Sequence, residues 1–462
     1  MKKIFLNFAS ILFTMLLISS CSSDDDSSST PPVAPTPPGT VELTGDLSTR
    51  TLTRGTRYLL KGQVFVRTGQ ILTIEPGTVI FGDKVSRGTL VIAPGGKIIA
   101  NGTAENPIVF TSAQPVNTRD RGDWGGLVVL GNARVNQASP AIEGINPAIT
   151  YGGTSDADDS GVLRFVRVEF AGIELTPNNE TNSITLGGVG STTVVENCQV
   201  SFGGDDGFEF FGGTVNGKHL ISFASWDDSF DIDFGYSGKL QFGVEVRYPS
   251  YADQSGSNSI EADNGPNDNI TDFLTTGVVS NFTLIGPRAL NTQLVNANYQ
   301  HSIDLRRRTA LTIANSVFIG YPRGIRMNQQ TVYNNYNDGT GVLTNNVLVA
   351  DLATYTVGSG MIATASDVNT LWNATNTTIT TTDYPAILTG LGLNTNIFFG
   401  TNLNTGYNAN PTFEVTSGSV LAGASFANPK LAGLIQTTYV GAFGPTDWTA
   451  TWAEFNPIAK VY

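Results

Sequence analysis

Acidic side chains recur in this sequence at positions that a repeating strand would bring into line. The chain reads Gly204-Asp205-Asp206-Gly207-Phe208-Glu209-Phe210-Phe211 and later Trp226-Asp227-Asp228-Ser229-Phe230-Asp231-Ile232-Asp233, with Asp227 lying 22 residues after Asp205. The same offset of 22 joins Ser302-Ile303-Asp304-Leu305 to Gly324-Ile325-Arg326-Met327. Alternate residues of a strand face opposite sides. With Phe208/Phe210, Phe230/Ile232, Ile260/Ala262, Ile303/Leu305 and Ile325/Met327 turned inward, one outward column reads Glu209, Asp231, Glu261, Asp304, Arg326. The next reads Phe211, Asp233, Asp263, Arg306, Asn328. Rungs of a parallel sheet lie ~4.8 Å apart, where like charges repel, so such a stack needs compensation. The options are a divalent cation, protonated carboxyls, or pairing with Arg306, Arg326, Arg307 and Arg308. Asp231, Asp233, Glu261 and Asp263 are the expected ligands of a calcium ion. The competing reading is a solvated face of an acidic protein, with Asp205-Asp206 and Asp227-Asp228 serving only as turn residues.

Two carboxylates on neighbouring rungs also suit acid and base hydrolysis of a sugar link. Glu209, Asp231, Glu261 and Asp304 are the candidates, and in a calcium-assisted lyase Arg306 or Arg326 would take the proton. His219 and His301 are the only histidines and fall on different repeats, which argues against a two-histidine metal site. Arg121-Gly122-Asp123 spells an adhesion tripeptide, but Trp124-Gly125-Gly126 follows, which predicts a turn over a packed tryptophan. Serine and cysteine nucleophile motifs, phosphate-cradling loops and zinc-ligand spacings are absent.

The elements that must carry these residues repeat as well. A short apolar strand preceded by asparagine recurs at Asn197, Asn281, Asn315, Asn346 and Asn396. Asparagine tolerates a left-handed backbone, and stacked asparagines form a ladder that satisfies buried polar groups. Such a ladder predicts an all-β fold, a right-handed single-stranded parallel β-helix with capped ends. An antiparallel sandwich with asparagine turns is the alternative. Leu72-Thr-Ile-Glu-Pro-Gly77 echoes Leu90-Val-Ile-Ala-Pro-Gly95 at an offset of 18, which reads as narrower first coils. The segment before Gln70 and the aromatic stretch from Tyr439 to Tyr462 are the expected caps, because an open stack exposes unpaired strand edges.

The N-terminus is an address. Lys2 and Lys3 precede an apolar run from Ile4 to Ile18, then Ser19-Ser20-Cys21. That is a secretory signal (residues 1–20) whose removal leaves Cys21 to carry a lipid; the run is shorter than the ~20 residues of a membrane-spanning helix. An ordinary signal and a soluble secreted product are the alternative. Residues 21–40 hold Asp24-Asp25-Asp26 and many Ser, Thr and Pro, which predicts a solvated tether before one β-helix domain at 41–462. Only one other cysteine exists, Cys198, so stability must come from a core. A 40% hydrophobic content and 51 glycines supply that core and its turns. A net charge of −13 excludes nucleic acid and favours cations, neutral glycans or a basic partner.

Arg121–Ala133 (RGDWGGLVVLGNA), Asp205–Asn216 (DDGFEFFGGTVN), Phe230–Phe242 (FDIDFGYSGKLQF), Ser259–Asn264 (SIEADN) and Tyr439–Pro457 (YVGAFGPTDWTATWAEFNP) together resemble a family of Bacteroidota-type envelope lipoproteins with a pectin-lyase-like β-helix. The resemblance spans most of the mature chain. It implies a lipid-anchored, cell-surface position in the outer membrane, with Asp24-Asp25-Asp26 as the export signal, and a TonB-dependent receptor as partner. It says little of activity. Pectin-degrading β-helix enzymes also place aspartates on adjacent coils, but Gly217-Lys218-His219 departs from their Gly-His-Gly element and no Asn-Thr-Asp precedes Asp205. The expected function is therefore a binding or accessory protein for glycan, calcium or a receptor, with a calcium-assisted polysaccharide lyase or glycoside hydrolase as the alternative.

Overall fold

The computed structural model describes residues 39–176, 179–289, 293–380, 383–394 and 409–462. The signal, Cys21, the tether as far as residue 38 and the repeat at Asn396 lie outside the described residues.

Among the described residues, strands rich in Val, Ile, Leu and Phe wind through three faces per coil and join into one 25-stranded sheet. On the first face Leu127–Leu130 pairs with Ile184–Gly187, then Phe208–Phe211, Phe230–Asp233, Ile260–Ala262 and His301–Leu305, every pairing parallel. This is a parallel β-helix. A separate antiparallel pair, Glu174–Thr176 with Asn179–Glu180, sits outside the stack. The inward columns close the core: Phe208 and Phe230 stack with ring centroids 5.5 Å apart, and Ile184, Ile260, Ile303 and Ile325 continue their line. Burying each such side chain stabilises the fold by about 1.5–3 kcal/mol.

The 22-residue offset is a true coil, since Phe208 pairs with Phe230 and Ile303 with Ile325. The longer coils place Ile260 beside Phe230 and Ile303 beside Ile260, as the outward columns require. The 18-residue echo is different. Leu72 pairs with Ile98, whereas Leu90 pairs with Val64 and Leu127. Pro94-Gly95 turns the corner from first to second face and Pro76-Gly77 the corner from second to third, so the likeness reflects two strand–turn–strand corners and not two narrow coils.

The asparagines do mark a corner. Phe165, Asn197, His219, Phe242, Asn281, Asn315 and Asn345 all adopt positive φ and succeed one another in register. Asn346 is one place out of this column: it stacks on Ser316 and Asn376, donating to Asn376 Oδ1 at 2.9 Å. Asn281 and Asn315 do not bond each other. Their Nδ2 groups reach Tyr439 O at 3.1 Å and Ser425 O at 3.0 Å in the C-terminal segment.

That segment is not an end cap. Gln241 donates to Ile435 O, Gln199 to Glu454 O and Arg119 to Pro457 O, so it runs back along the second and third faces over many coils. The apolar surface it covers, including Phe223, Val244 and Val317, explains its aromatic content. The end of the core is closed instead by two helices, Gln330–Asn337 and Ala365–Asn373, which bury Val332, Tyr336, Val368 and Trp372 against it. At the other end, Val41–Leu47 and Arg50–Leu52 are themselves the first rung, pairing onward with Tyr58–Val66 and Ile71–Ile74. They extend the stack and do not cap it.

Candidate functional site

The first outward column of the first face runs Asp46, Phe65, Val91, Val128, Thr185, Glu209, Asp231, Glu261, Asp304, Arg326, Thr356. After Asp46, which pairs with Arg67 at 2.7 Å, the column is apolar from Phe65 to Val128 and packs with Ile145, Tyr151 and Leu175. Charge returns at Glu209. The solvated-face reading fails on burial: Glu209 is 7% exposed, Glu261 8%, Asp304 0%, Asp206 8% and Asp228 3%.

Half of this column is compensated by arginine. Arg306 donates Nε and Nη2 to Asp263 at 2.9 and 2.6 Å and also meets Glu261. Arg307 reaches Asp263 at 2.6 Å, and Arg326 clamps Asp304 through Nε at 2.7 Å and Nη2. Arg308 turns away to Asp268 O. Burial alone would lower the pKa of Arg306, but its bonds to Asp263 and the charges of Glu261 and Asp304 raise it; Asp304 does the same for Arg326. Each arginine is thus held in its charged form by a carboxylate partner, the opposite of the free base a lyase needs, so the geometry lends that expectation no support.

The other half is not compensated in this way. Asp205 and Asp227, and Asp206 and Asp228, stack one coil apart at the entry to the first face, beside Glu209 and Asp231. Carboxylate oxygens of Asp206, Glu209 and Asp231 lie within 4.8 Å of one another, as do those of Asp228, Asp231 and Glu261, and those of Asp205, Asp206 and Asp227. Burial first, then the neighbouring carboxylates, pushes Asp205, Asp206, Glu209, Asp228, Asp231 and Glu261 well above the ordinary range. Asp231 Oδ1 is out of solvent and accepts no hydrogen bond.

A polar ladder passes through this half. Asn182 Oδ1 accepts the N–H of Asp206 at 3.3 Å, Asp206 Oδ1 that of Asp228 at 2.8 Å, Asp228 Oδ1 that of Asn258, and Asn258 Oδ1 that of His301 at 3.0 Å. One carbonyl-type oxygen per rung does the structural work. Asparagine suffices at the outer rungs, yet the two middle rungs carry aspartate, each with a second oxygen left over. The sequence reading missed this because aspartate before a strand reads as a turn residue; the available signal was the Asp-Asp pair recurring at the coil period.

The expected calcium ligands divide accordingly. Asp231 enters the clusters, Glu261 enters one of them while also pairing with Arg306, and Asp263 is taken by Arg306 and Arg307. Asp233 stands apart, its Oδ1 accepting from its neighbour Phe234 N, and burial followed by Asp263 pushes its carboxyl up to about 7. A hard cation with oxygen ligands at about 2.3–2.6 Å spans opposed oxygens roughly 4.6–5.2 Å apart, so the clusters and the orphaned Asp231 oxygen fit such an ion.

Two cavities open beside the acids and share Glu180 and Asp205. One, of 340 Å³, is walled by Tyr151, Phe211 and Phe234 beside Asp206 and Glu209. The other, of 650 Å³, is bounded by Trp226, Asp227, Asp253 and Arg121. Gly122, Gly172 and Gly204 pack backbone on backbone at its floor, where a Cβ at Gly172 or Gly204 would collide with main chain.

The remaining sequence candidates are structural. Asp123 is buried, bonded by Lys84 at 2.8 Å and Ser112 at 2.6 Å over the buried Trp124, so the tripeptide is no adhesion loop. His219 stacks on Phe242 at 5.2 Å, and burial, then Lys218, lowers its pKa to about 4. His301 lies on another coil, lowered to about 3 by burial and then by Arg326. Cys198 is buried, which pushes its thiol up to about 12.

Among known proteins, the family model described as "Pectate-lyase like beta helix domain" matches residues 45–391. No curated protein matches the chain, and no solved structure does. The matched span takes in every coil of the first face from its first rung to the closing helices, and by that match the chain belongs to the pectate-lyase-like beta helix domain family.

Proposed function

We propose that this is a lipoprotein of the outer membrane, anchored through Cys21 and displayed at the cell surface, acting as a binding or accessory protein beside a TonB-dependent receptor. Its first face would seat a divalent cation, calcium by ligand chemistry, next to a cleft for glycan. Asp206, Glu209, Asp228, Asp231 and Glu261 are the ligands in this reading. All are hard oxygen donors, as calcium prefers. The signal-like N-terminus and the acidic tether support the location.

One observation carries the cation. At Asp206 and Asp228 an asparagine would serve the ladder equally, as Asn182 and Asn258 do, without the cost of a buried charge. A divalent cation is the partner that would favour aspartate over asparagine at those rungs. The test uses the full chain treated with chelator. Calcium should raise its thermal unfolding midpoint, and Asp228→Asn, which keeps the ladder, should fold but lose that response. A calcium response that survives in Asp206→Asn, Asp228→Asn and Asp231→Asn alike would refute the site.

A second reading is hydrolysis of a glycosidic bond. It is favoured by Asp233, whose carboxyl near 7 suits a general acid at neutral pH. New reducing ends from a polysaccharide panel, lost in Asp233→Asn, would establish it; unsaturated products would establish elimination instead.

A further inference from the structure

The 650 Å³ cavity carries a charge pattern that selects among glycans. Glu174, Glu180, Asp205, Asp227 and Asp253 line it, and Arg121 is the one cation among its lining residues. Asp227 is half-buried there, and its Oδ1 is out of solvent and accepts no hydrogen bond, although Ser255 donates to Oδ2 at 2.7 Å. Trp226 is fixed by its own Nε1–H, which donates to Asp253 Oδ1 at 2.9 Å, and Tyr251 packs against it with ring centroids 5.6 Å apart. The guanidinium of Arg121 lies 3.3 Å from the indole centroid and 5.8 Å from that of Tyr251. The aromatic wall thus already holds a cation within a ring of carboxylates.

We propose that this cleft binds a glycan bearing free amino groups, a refinement that rests on the glycan-binding reading above. Three features converge. An indole face takes the apolar C–H face of a sugar ring, and it also attracts an ammonium through the ring quadrupole. Carboxylates accept from sugar hydroxyls and pair with an ammonium, leaving Asp227 Oδ1 satisfied. A polyuronate meets the opposite situation, because each of its carboxylates would enter a site already crowded with like charge. The second cavity, joined at Glu180 and Asp205, offers Tyr151, Phe211 and Phe234 to a neighbouring sugar unit. Arg121 stands where the ligand cation belongs, held on the indole face, and moves aside when the ligand brings its own.

Calorimetric titration of the full chain in chelator tests this, with a glucosamine oligosaccharide, its N-acetylated counterpart, an oligogalacturonate and an oligolysine. The amino oligosaccharide should bind at least about tenfold more tightly than the acetylated one, and the oligogalacturonate should not bind. Trp226→Ala and Glu180→Gln should each weaken the amino ligand about tenfold or more while unfolding at the wild-type midpoint. If Trp226→Ala misfolds, Glu180→Gln at its exposed position still decides. Equal affinity for the acetylated ligand overturns the amino preference and leaves the glycan reading standing. Absence of binding by every glycan overturns both. Oligolysine binding as tightly, with the same loss in Trp226→Ala, shows a site for any polycation and overturns the proposal.

Discussion

A buried carboxylate without a cation costs stability, and the two halves of the acidic column meet that cost differently. Arg306 neutralises Glu261 and Asp263, and Asp263 keeps Arg307, so Arg306→Met should leave the buried Glu261 short of its cation and destabilise the fold by about 3–5 kcal/mol in chemical denaturation. Asp231→Asn acts in the opposite direction. It removes a charge whose Oδ1 has no partner, and should stabilise the chelated protein at neutral pH by roughly 1–3 kcal/mol while abolishing any calcium response. At this scale the sequence was readable where periodicity applied: Glu209, Asp231, Glu261, Asp304 and Arg326 fall in one column as the alternation required. It was not readable where the partner came from elsewhere. The pairing of Arg306 with Asp263 follows from their shared column, but nothing local says that Arg307 joins them, or that Asp206 and Asp228 use one oxygen for the ladder and spare the other.

Strands whose apolar residues alternate were legible as elements, and so was the corner at Asn197, Asn281 and Asn315, because a left-handed backbone selects asparagine. The ends were not. Aromatic residues from Tyr439 onward signal that something apolar is covered but not whether it is an end or a side. The closing helices are short, and one of them, Ala365–Asn373, is set by a Thr364/Asp367 capping box and by Trp372 packed on the core. Trp372→Ala should open a cavity at the end of the stack and cost about 3–5 kcal/mol. Hydrogen exchange should then show fraying that begins in Val347–Val357, while the first coils stay protected. Uniform loss of protection would contradict a closure at that end.

For the whole molecule, pH acts through groups of opposite sign. The cluster carboxyls are raised on folding, so their favourable contribution is complete below the unfolded values near 4 and is lost as pH rises, Asp233 marking about 7. His219 is lowered from 6.5 to about 4, so its contribution is present above about 6.5 and lost as pH falls toward 4. In chelator, the stability advantage of Asp231→Asn over wild type should therefore widen with rising pH and close near about pH 4. A gap independent of pH would show that Asp231 is not held in a raised state. Anchoring is testable separately: Cys21→Ser should move the protein out of the membrane fraction without changing its unfolding midpoint. The central claim is that the half of the column lacking arginine exists to hold a divalent cation. Its most direct measurement is calorimetric titration of the chelator-treated full chain with calcium, beside Asp228→Asn. The account predicts saturable binding to the wild type and none to the variant, with both folded. Wild-type protein that takes up no calcium, or a variant that binds it equally well, would contradict the account.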